Sequence, residues 1–225
     1  MPEIAARLAE IRRRMDAACR RASRSVEEVT LLAVSKTFPA AVVAEASEAG
    51  QRHFGESRQQ EGCAKVEELP ASLNWHFIGR LQRNKVRKVL PAFPVLHSID
   101  SLRLAAHVDR IAGELGLKPS VYLEVDLAGE DSKGGFSEAE LEAAIHEVGC
   151  LSNLSIVGLM AIPPAVDDPE DSRPWFARAR ELRDALLPDG GLSMGMSGDF
   201  EVAIEEGSTI VRVGSSIFGR REAAQ

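Results

Sequence analysis

Eight short apolar runs recur along the chain: 31–36, 53–57, 75–79, 95–100, 121–126, 156–161, 192–197 and 210–218. Each is followed by a loop, and most loops lead into an Ala-rich or amphipathic helical segment. Strands that alternate with helices cannot pair by tight hairpins. They pair in parallel, and eight of them close on themselves. The rhythm therefore predicts a single (β/α)8 TIM barrel. Such barrels keep their chemistry at the C-terminal ends of the strands. Several runs end there in polar groups: Ser35-Lys36, Glu56-Ser57, Gly79-Arg80, Asp100, Asp126, Ser197 and Gly214-Ser215.

A length of 225 residues suits one compact barrel and leaves no room for a full second domain, and a 44% hydrophobic content fills a sizeable core. We therefore expect one domain over 1–225, with 1–25 as an extra N-terminal helix packed on the barrel. Within it Ile4, Leu8, Ile11, Met15 and Cys19 recur at helical spacing. A net charge of −7 argues against a nucleic-acid surface. The basic stretch 80–88 is a local exception, read either as a solvated helix face or as a docking surface. The three cysteines, Cys19, Cys63 and Cys150, lack metal-ligand spacing and read as reduced thiols of a cytoplasmic protein. The charged start Met1-Pro2-Glu3 is not that of a signal peptide, and no apolar run approaches the ~20 residues that span a bilayer.

Local signals place the helices. Pro39 stands where a first helical turn begins after Lys36. Ser101 caps the helix after the fourth run, and Ser137 with Glu140 makes a capping box for 138–148. The longest irregular loops, 128–136 and 163–174, both follow strands and so lie over the active face.

Lys36 is the first candidate for chemistry. A strand-end lysine turned into a barrel mouth is partly desolvated, which favours the neutral amine that attacks carbonyls. The alternative is a lysine reaching from a strand end into water. The second candidate is a pair of loops. The seventh run ends Met194-Gly195-Met196-Ser197-Gly198-Asp199 and the eighth ends Val211-Arg212-Val213-Gly214-Ser215-Ser216. Glycines admit close backbone approach, and helix-start N–H groups and serine hydroxyls favour an anion. The plain alternative is ordinary helix capping. Side chains alternate along 210–214; if Arg212 points inward, it is a fixed cation near that anion site, or else half of an interior ion pair with Glu124 or Asp126. His76 either lines the mouth or sits satisfied in the core.

A carbonyl-seeking lysine, a phosphate site and a buried arginine together suggest pyridoxal 5′-phosphate. The residues that carry a family resemblance run through the barrel in order: Ala33-Val34-Ser35-Lys36, His53-Phe54-Gly55-Glu56, His76 to Lys85, His97-Ser98-Ile99-Asp100-Ser101, Gly158-Leu159-Met160, Leu192 to Ser197 and Val211 to Gly219. In these the chain resembles the pyridoxal phosphate homeostasis proteins, single-barrel relatives of the alanine racemase N-terminal domain.

The resemblance implies that Lys36 holds the cofactor as an internal aldimine, that Ser197, Gly198, Gly214 and Ser215 hold its phosphate, and that Arg212 approaches the phosphate or the pyridine nitrogen. It also assigns Ser57, His76 and Met160 to the cofactor site. One position departs: the family has Asn after Phe-Gly-Glu and this chain has Ser57, which removes any contact an Asn amide makes. The implied function is to bind pyridoxal 5′-phosphate and contribute to vitamin B6 homeostasis without turnover, with apo pyridoxal enzymes as clients. The protein is expected to be a monomer, with no nucleic acid or membrane partner. The alternative is an amino-acid racemase, which needs a second base; the single tyrosine, Tyr122, lies inside the fifth run. A phosphosugar aldolase using Lys36 is a third reading, with nothing visible to recognise its sugar.

Overall fold

The computed structural model describes residues 2–129 and 134–219. Strands β1 (Thr30–Val34), β2 (His53–Glu56), β3 (Asn74–Phe77), β4 (Val95–Ile99), β5 (Ser120–Asp126), β7 (Ser155–Ala161), β8 (Gly191–Ser193) and β9 (Ile210–Val213) pair in parallel in chain order. Pairing of β4 with β5 and of β1 with β9 closes the ring. A two-residue strand, β6 (Phe136–Ser137), is added beside β5.

Helices α2 (Ala40–Glu48), α3 (Gln59–Glu68), α4 (Val86–Val89), α5 (Leu102–Leu115), α6 (Glu138–Gly149), α7 (Arg173–Leu186), α8 (Phe200–Glu205) and α9 (Ser215–Phe218) follow the strands. The N-terminal helix α1 (Pro2–Arg21) buries Ile4, Leu8, Ile11, Met15 and Cys19 and packs on α2, α8 and α9, so it lies on the barrel exterior.

Strand alternation divides the apolar residues into two cores. Leu31, Ala33, Phe54, Trp75, Phe77, Leu96, Val121, Leu123, Leu159, Leu192, Val211 and Val213 face the helices. Leu32, Tyr122, Met160 and Ile210 face inward and form a much smaller cluster. Ile78, Val95 and Val157 pack on that cluster, and polar groups share the interior: His53, His76, His97, Ser193 and Arg212 project there from five different strands. A barrel of this size must fill its interior with side chains, and here about half of the filling is hydrogen-bonding groups. Each of those needs a partner, or burial costs it the lost bond to water.

Local caps form largely as their residues dictate. Ser101 accepts from the Leu104 N–H at 3.3 Å. Glu140 accepts from the Ser137 N–H at 3.1 Å and hydroxyl at 2.7 Å. Several boundaries differ from the sequence reading by a residue or two, and four of them have a visible cause or consequence. Pro39 is the N-cap of α2 rather than its first helical residue. The loop 163–174 contains a 3-10 turn at Pro169–Ser172, and Pro174 already lies in α7. β8 stops at Ser193 because Gly195, at φ +88°, turns the chain; its carbonyl accepts from the Arg212 N–H at 2.9 Å. An L side chain is strained at that φ, and a Cβ on Gly195 would stand 2.5 Å from Ala203 Cβ. β9 stops at Val213, and 215–218 coils into α9. Residues 130–133 of the loop 128–136 lie outside the described residues. Among the described residues no helix is long and apolar enough to cross a membrane.

Candidate functional site

At the C-terminal ends of β1, β8 and β9 a cleft of about 560 Å³ opens. Its walls are Val34, Phe38, Ile78, Ile162 and Met196, and its polar lining is Lys36, Ser197, Gly198, Arg212, Gly214 and Ser215. The structure thus brings together six of the nine residues singled out above. Ser57 is half-buried and does not line this cleft. Met160 is buried with Leu32, Tyr122 and Ile210 in the barrel interior. His76 is buried deeper along the axis, with both ring nitrogens engaged.

Lys36 continues the inward parity of Leu32 and Val34, which brings it to the cleft. The backbone on either side of it is tied to a buried ionic cluster. Lys65, from α3, donates to Glu56 at 2.7 Å, to Glu61 at 2.7 Å and to the Ser35 carbonyl at 2.9 Å. Ser35 Oγ donates to Glu56 at 2.7 Å, and the Thr37 N–H donates to Glu61 at 2.5 Å. Thr37 is held at φ +73°, a conformation that a β-branched residue rarely adopts. The surroundings therefore over-determine the two residues that flank Lys36. Glu56 is fully buried, and one of its carboxylate oxygens has no partner among the described residues. Burial pushes its carboxyl above the usual range against the pull of Lys65 and Ser35.

The two glycine–serine loops lie side by side. The Gly214 N–H donates to Ser197 Oγ at 3.2 Å, and the Met196 N–H donates to Asp199 at 2.7 Å. Among the described residues no hydrogen bond uses the N–H groups of Ser197, Gly198, Ser215 or Ser216. Nothing stands within 4 Å of where a Gly198 side chain would begin. Unspent donors beside open space are what an oxyanion requires. The donor set, the open cradle and the adjacent amine fit a phosphorylated aldehyde.

Arg212 forms part of the floor, only 5% exposed. One guanidinium nitrogen donates to Ser193 O at 2.6 Å and Ser193 Oγ at 2.7 Å, and the other to Ala161 O at 3.1 Å. Among the described residues neither Glu124 nor Asp126 closes an ion pair with it, so the interior ion pair considered from the sequence does not form. Burial lowers the arginine to about 10, with Glu124 and Asp199 acting in the opposite sense, so it remains a cation at neutral pH. Glu124, raised to about 7 by burial and Asp100, is a carboxyl at the edge of protonation.

Below Arg212 runs a polar chain that the sequence reading missed. His97 Nδ1 lies 2.8 Å from Ser193 Oγ, His76 Nδ1 lies 2.9 Å from His97 Nε2, and His53 Nδ1 lies 3.2 Å from His76 Nε2. Tyr122 stacks on His97 at 4.6 Å. A histidine in each of three successive runs was the available signal. The Glu56–Lys65–Glu61 cluster left only a weak one, since nothing in α3 distinguishes Lys65 from a solvated lysine.

The alanine racemase N-terminal domain family matches residues 7–222. The pyridoxal phosphate homeostasis protein of Aquifex aeolicus is 43% identical over 224 residues, spanning 96% of this chain and 97% of that one. PipY of Synechococcus elongatus PCC7942, in a structure with PLP bound, superposes with a TM-score of 0.82 at 42% identity, covering 96% of this chain and 100% of that one. Alanine racemase of Clostridium difficile 630 superposes with a TM-score of 0.75 over 99% of this chain and 58% of that one, at 16% identity, a likeness of fold alone.

Proposed function

The chain belongs to the pyridoxal phosphate homeostasis protein family, within the alanine racemase N-terminal domain group, and on that premise we propose that it binds pyridoxal 5′-phosphate in the cleft between β1, β8 and β9 as a carrier of the cofactor. The observation that carries this reading is the meeting of the Lys36 side chain, the unspent backbone N–H groups of Ser197, Gly198 and Ser215, and the cationic Arg212 in one cleft. The cofactor's own contribution is an aldehyde that an amine can capture. Lys36 supplies that amine. Ser197, Gly198 and Ser215 receive the phosphate through N–H and hydroxyl donors, and Gly214, whose N–H is engaged by Ser197 Oγ, admits it by lacking a side chain. Arg212 has only donors to offer, so beside the ring nitrogen it keeps that atom unprotonated and weakens the ring as an electron sink.

The protein as we read it is one cofactor-binding domain over 1–225, a cytoplasmic monomer that buffers the cofactor and passes it to apo pyridoxal enzymes without turnover. The interior disfavours the racemase reading. Tyr122, the single tyrosine of the sequence, is buried in the barrel and pushed up to about 12 by burial, far from the role of a proton-shuttling base at a cleft.

Two measurements test the carrier role. Titration with pyridoxal 5′-phosphate should produce a saturable visible absorbance band at one equivalent. The loaded protein mixed with an apo pyridoxal enzyme should restore that enzyme's activity. A missing band removes the binding reading, and no restoration over hours removes delivery.

A further inference from the structure

The chain of His53, His76, His97 and Ser193 reaches from one end of the barrel axis to the other. At its upper end Ser193 meets Arg212 under the cleft. At its lower end His53 lines a second cavity, of about 300 Å³, among Arg12, Gly50 and Gln51 where the strands begin. None of these four residues lines the cofactor cleft. We propose that they are positioning residues: a one-way hydrogen-bonded chain that fixes the pose of Arg212 beneath the cofactor.

The direction follows from counting protons. A guanidinium only donates, so Ser193 Oγ accepts from Arg212. The hydroxyl has one proton, and His97 Nδ1, 2.8 Å away, is the acceptor within reach. Were His97 protonated at Nδ1 instead, both neighbours of the hydroxyl would be donors and its own proton would be stranded in a dry interior, at the cost of an unmade buried bond. His97 therefore carries its proton on Nε2 and donates to His76 Nδ1. By the same step His76 carries its proton on Nε2 and donates to His53 Nδ1. Three neutral imidazoles thus share one tautomer, set by the cation at the far end. Burial holds His76 and His97 neutral, and the Arg212 cation acts on His97 in the same sense.

The chain in turn limits Arg212. Ser193 Oγ accepts from it while its own proton, turned toward His97 Nδ1, leaves the lone pairs facing the guanidinium. Three acceptors hold the guanidinium, two backbone carbonyls and the Ser193 hydroxyl, and the hydroxyl is the one that the chain controls. What this pose does for the cofactor rests on Arg212 facing the ring, as proposed above. The pose itself does not, and it can be measured without ligand.

The test is nitrogen NMR on the ligand-free full chain, labelled with 15N at histidine and arginine. The expected result is that His53, His76 and His97 all show a protonated Nε2 and a bare Nδ1 at about pH 8, and that the Arg212 guanidinium rotates slowly about its Nε–Cζ bond. Ser193→Ala should mix the His97 tautomers and quicken that rotation, since two backbone carbonyls alone then hold the guanidinium, and Ser193→Thr, which keeps the hydroxyl, should restore both. A protonated Nδ1 on any of the three rings in the unmutated protein overturns the proposal without recourse to a variant. So does an Ser193→Ala protein whose tautomers and rotation match the original. If Arg212→Met binds the cofactor unchanged, the ring-partner reading fails while the tautomers still decide the chain.

Discussion

Replacing Lys65 by methionine should be the most costly single change near the site that does not touch the cleft. Lys65 is 4% exposed and its ammonium serves three oxygens, on Glu56, Glu61 and Ser35. Methionine refills the volume but leaves Glu56 fully buried with one donor, Ser35 Oγ, where its second oxygen already lacks a partner. Removing one member of a buried pair costs about 3–5 kcal/mol. That is a large share of a total stability of about 5–15 kcal/mol.

The loss should depend on pH, and its sign can be worked out. Burial already raises the Glu56 carboxyl above its ordinary value, and without Lys65 it rises further. The native state then holds a proton that the unfolded chain gives up. Stability of the variant falls as pH climbs from about 4.5 through the raised folded value, by ~1.4 kcal/mol for each unit between the two. Denaturant unfolding at about pH 5 and pH 8, followed through the buried Trp75, gives the measurement. The deficit should be greater at the higher pH, and Glu56→Gln in the Lys65→Met background should recover part of it. A deficit below about 1 kcal/mol, or one equal at both pH values, would refute the claim that this pair is a desolvated charge lock behind Lys36.

Further outcomes follow from the same geometry. Ser197→Ala and Gly214→Val should weaken pyridoxal 5′-phosphate binding by on the order of tenfold or more, since a charge-assisted bond contributes about 1.5–3 kcal/mol. They should affect unphosphorylated pyridoxal much less in parallel titrations; Gly214→Val also brings a Cβ to 3.2 Å from the Val34 carbonyl. Gly195→Ala should lower the thermal midpoint, because a left-handed φ and a 2.5 Å approach to Ala203 oppose any side chain there. The pure protein should leave the optical rotation of L-alanine unchanged over hours, and conversion that disappears in Lys36→Ala would promote the racemase reading.

The barrel was legible because its signal is redundant: eight runs, each with its own helix, predict one closed sheet even when single boundaries slip. The slips cluster at β8 and β9, where apolar residues continue past the last paired residue. Met194 and Ile217 are buried yet not in strands, so hydrophobicity alone extends the runs. The cleft was legible through the strand-end position of Lys36, the alternation around Arg212 and the glycine–serine chemistry of the two loops. The polar interior was not. His53, His76 and His97 do not pair straight across the ladder; they meet through the tilt of the strands, which a one-dimensional pattern does not carry. Lys65 is hidden for a related reason: it is buried by what lies opposite it, and a helix sequence does not say what that is.

The central claim is that Lys36 is the amine that captures the cofactor in this cleft. The most direct measurement is borohydride reduction of the protein loaded with pyridoxal 5′-phosphate, followed by peptide mapping of the fixed phosphopyridoxyl group by mass spectrometry. The account predicts a single modified residue, Lys36, and no adduct in a folded Lys36→Ala variant. Stoichiometric modification of another lysine, or an adduct that persists undiminished in Lys36→Ala, would contradict it.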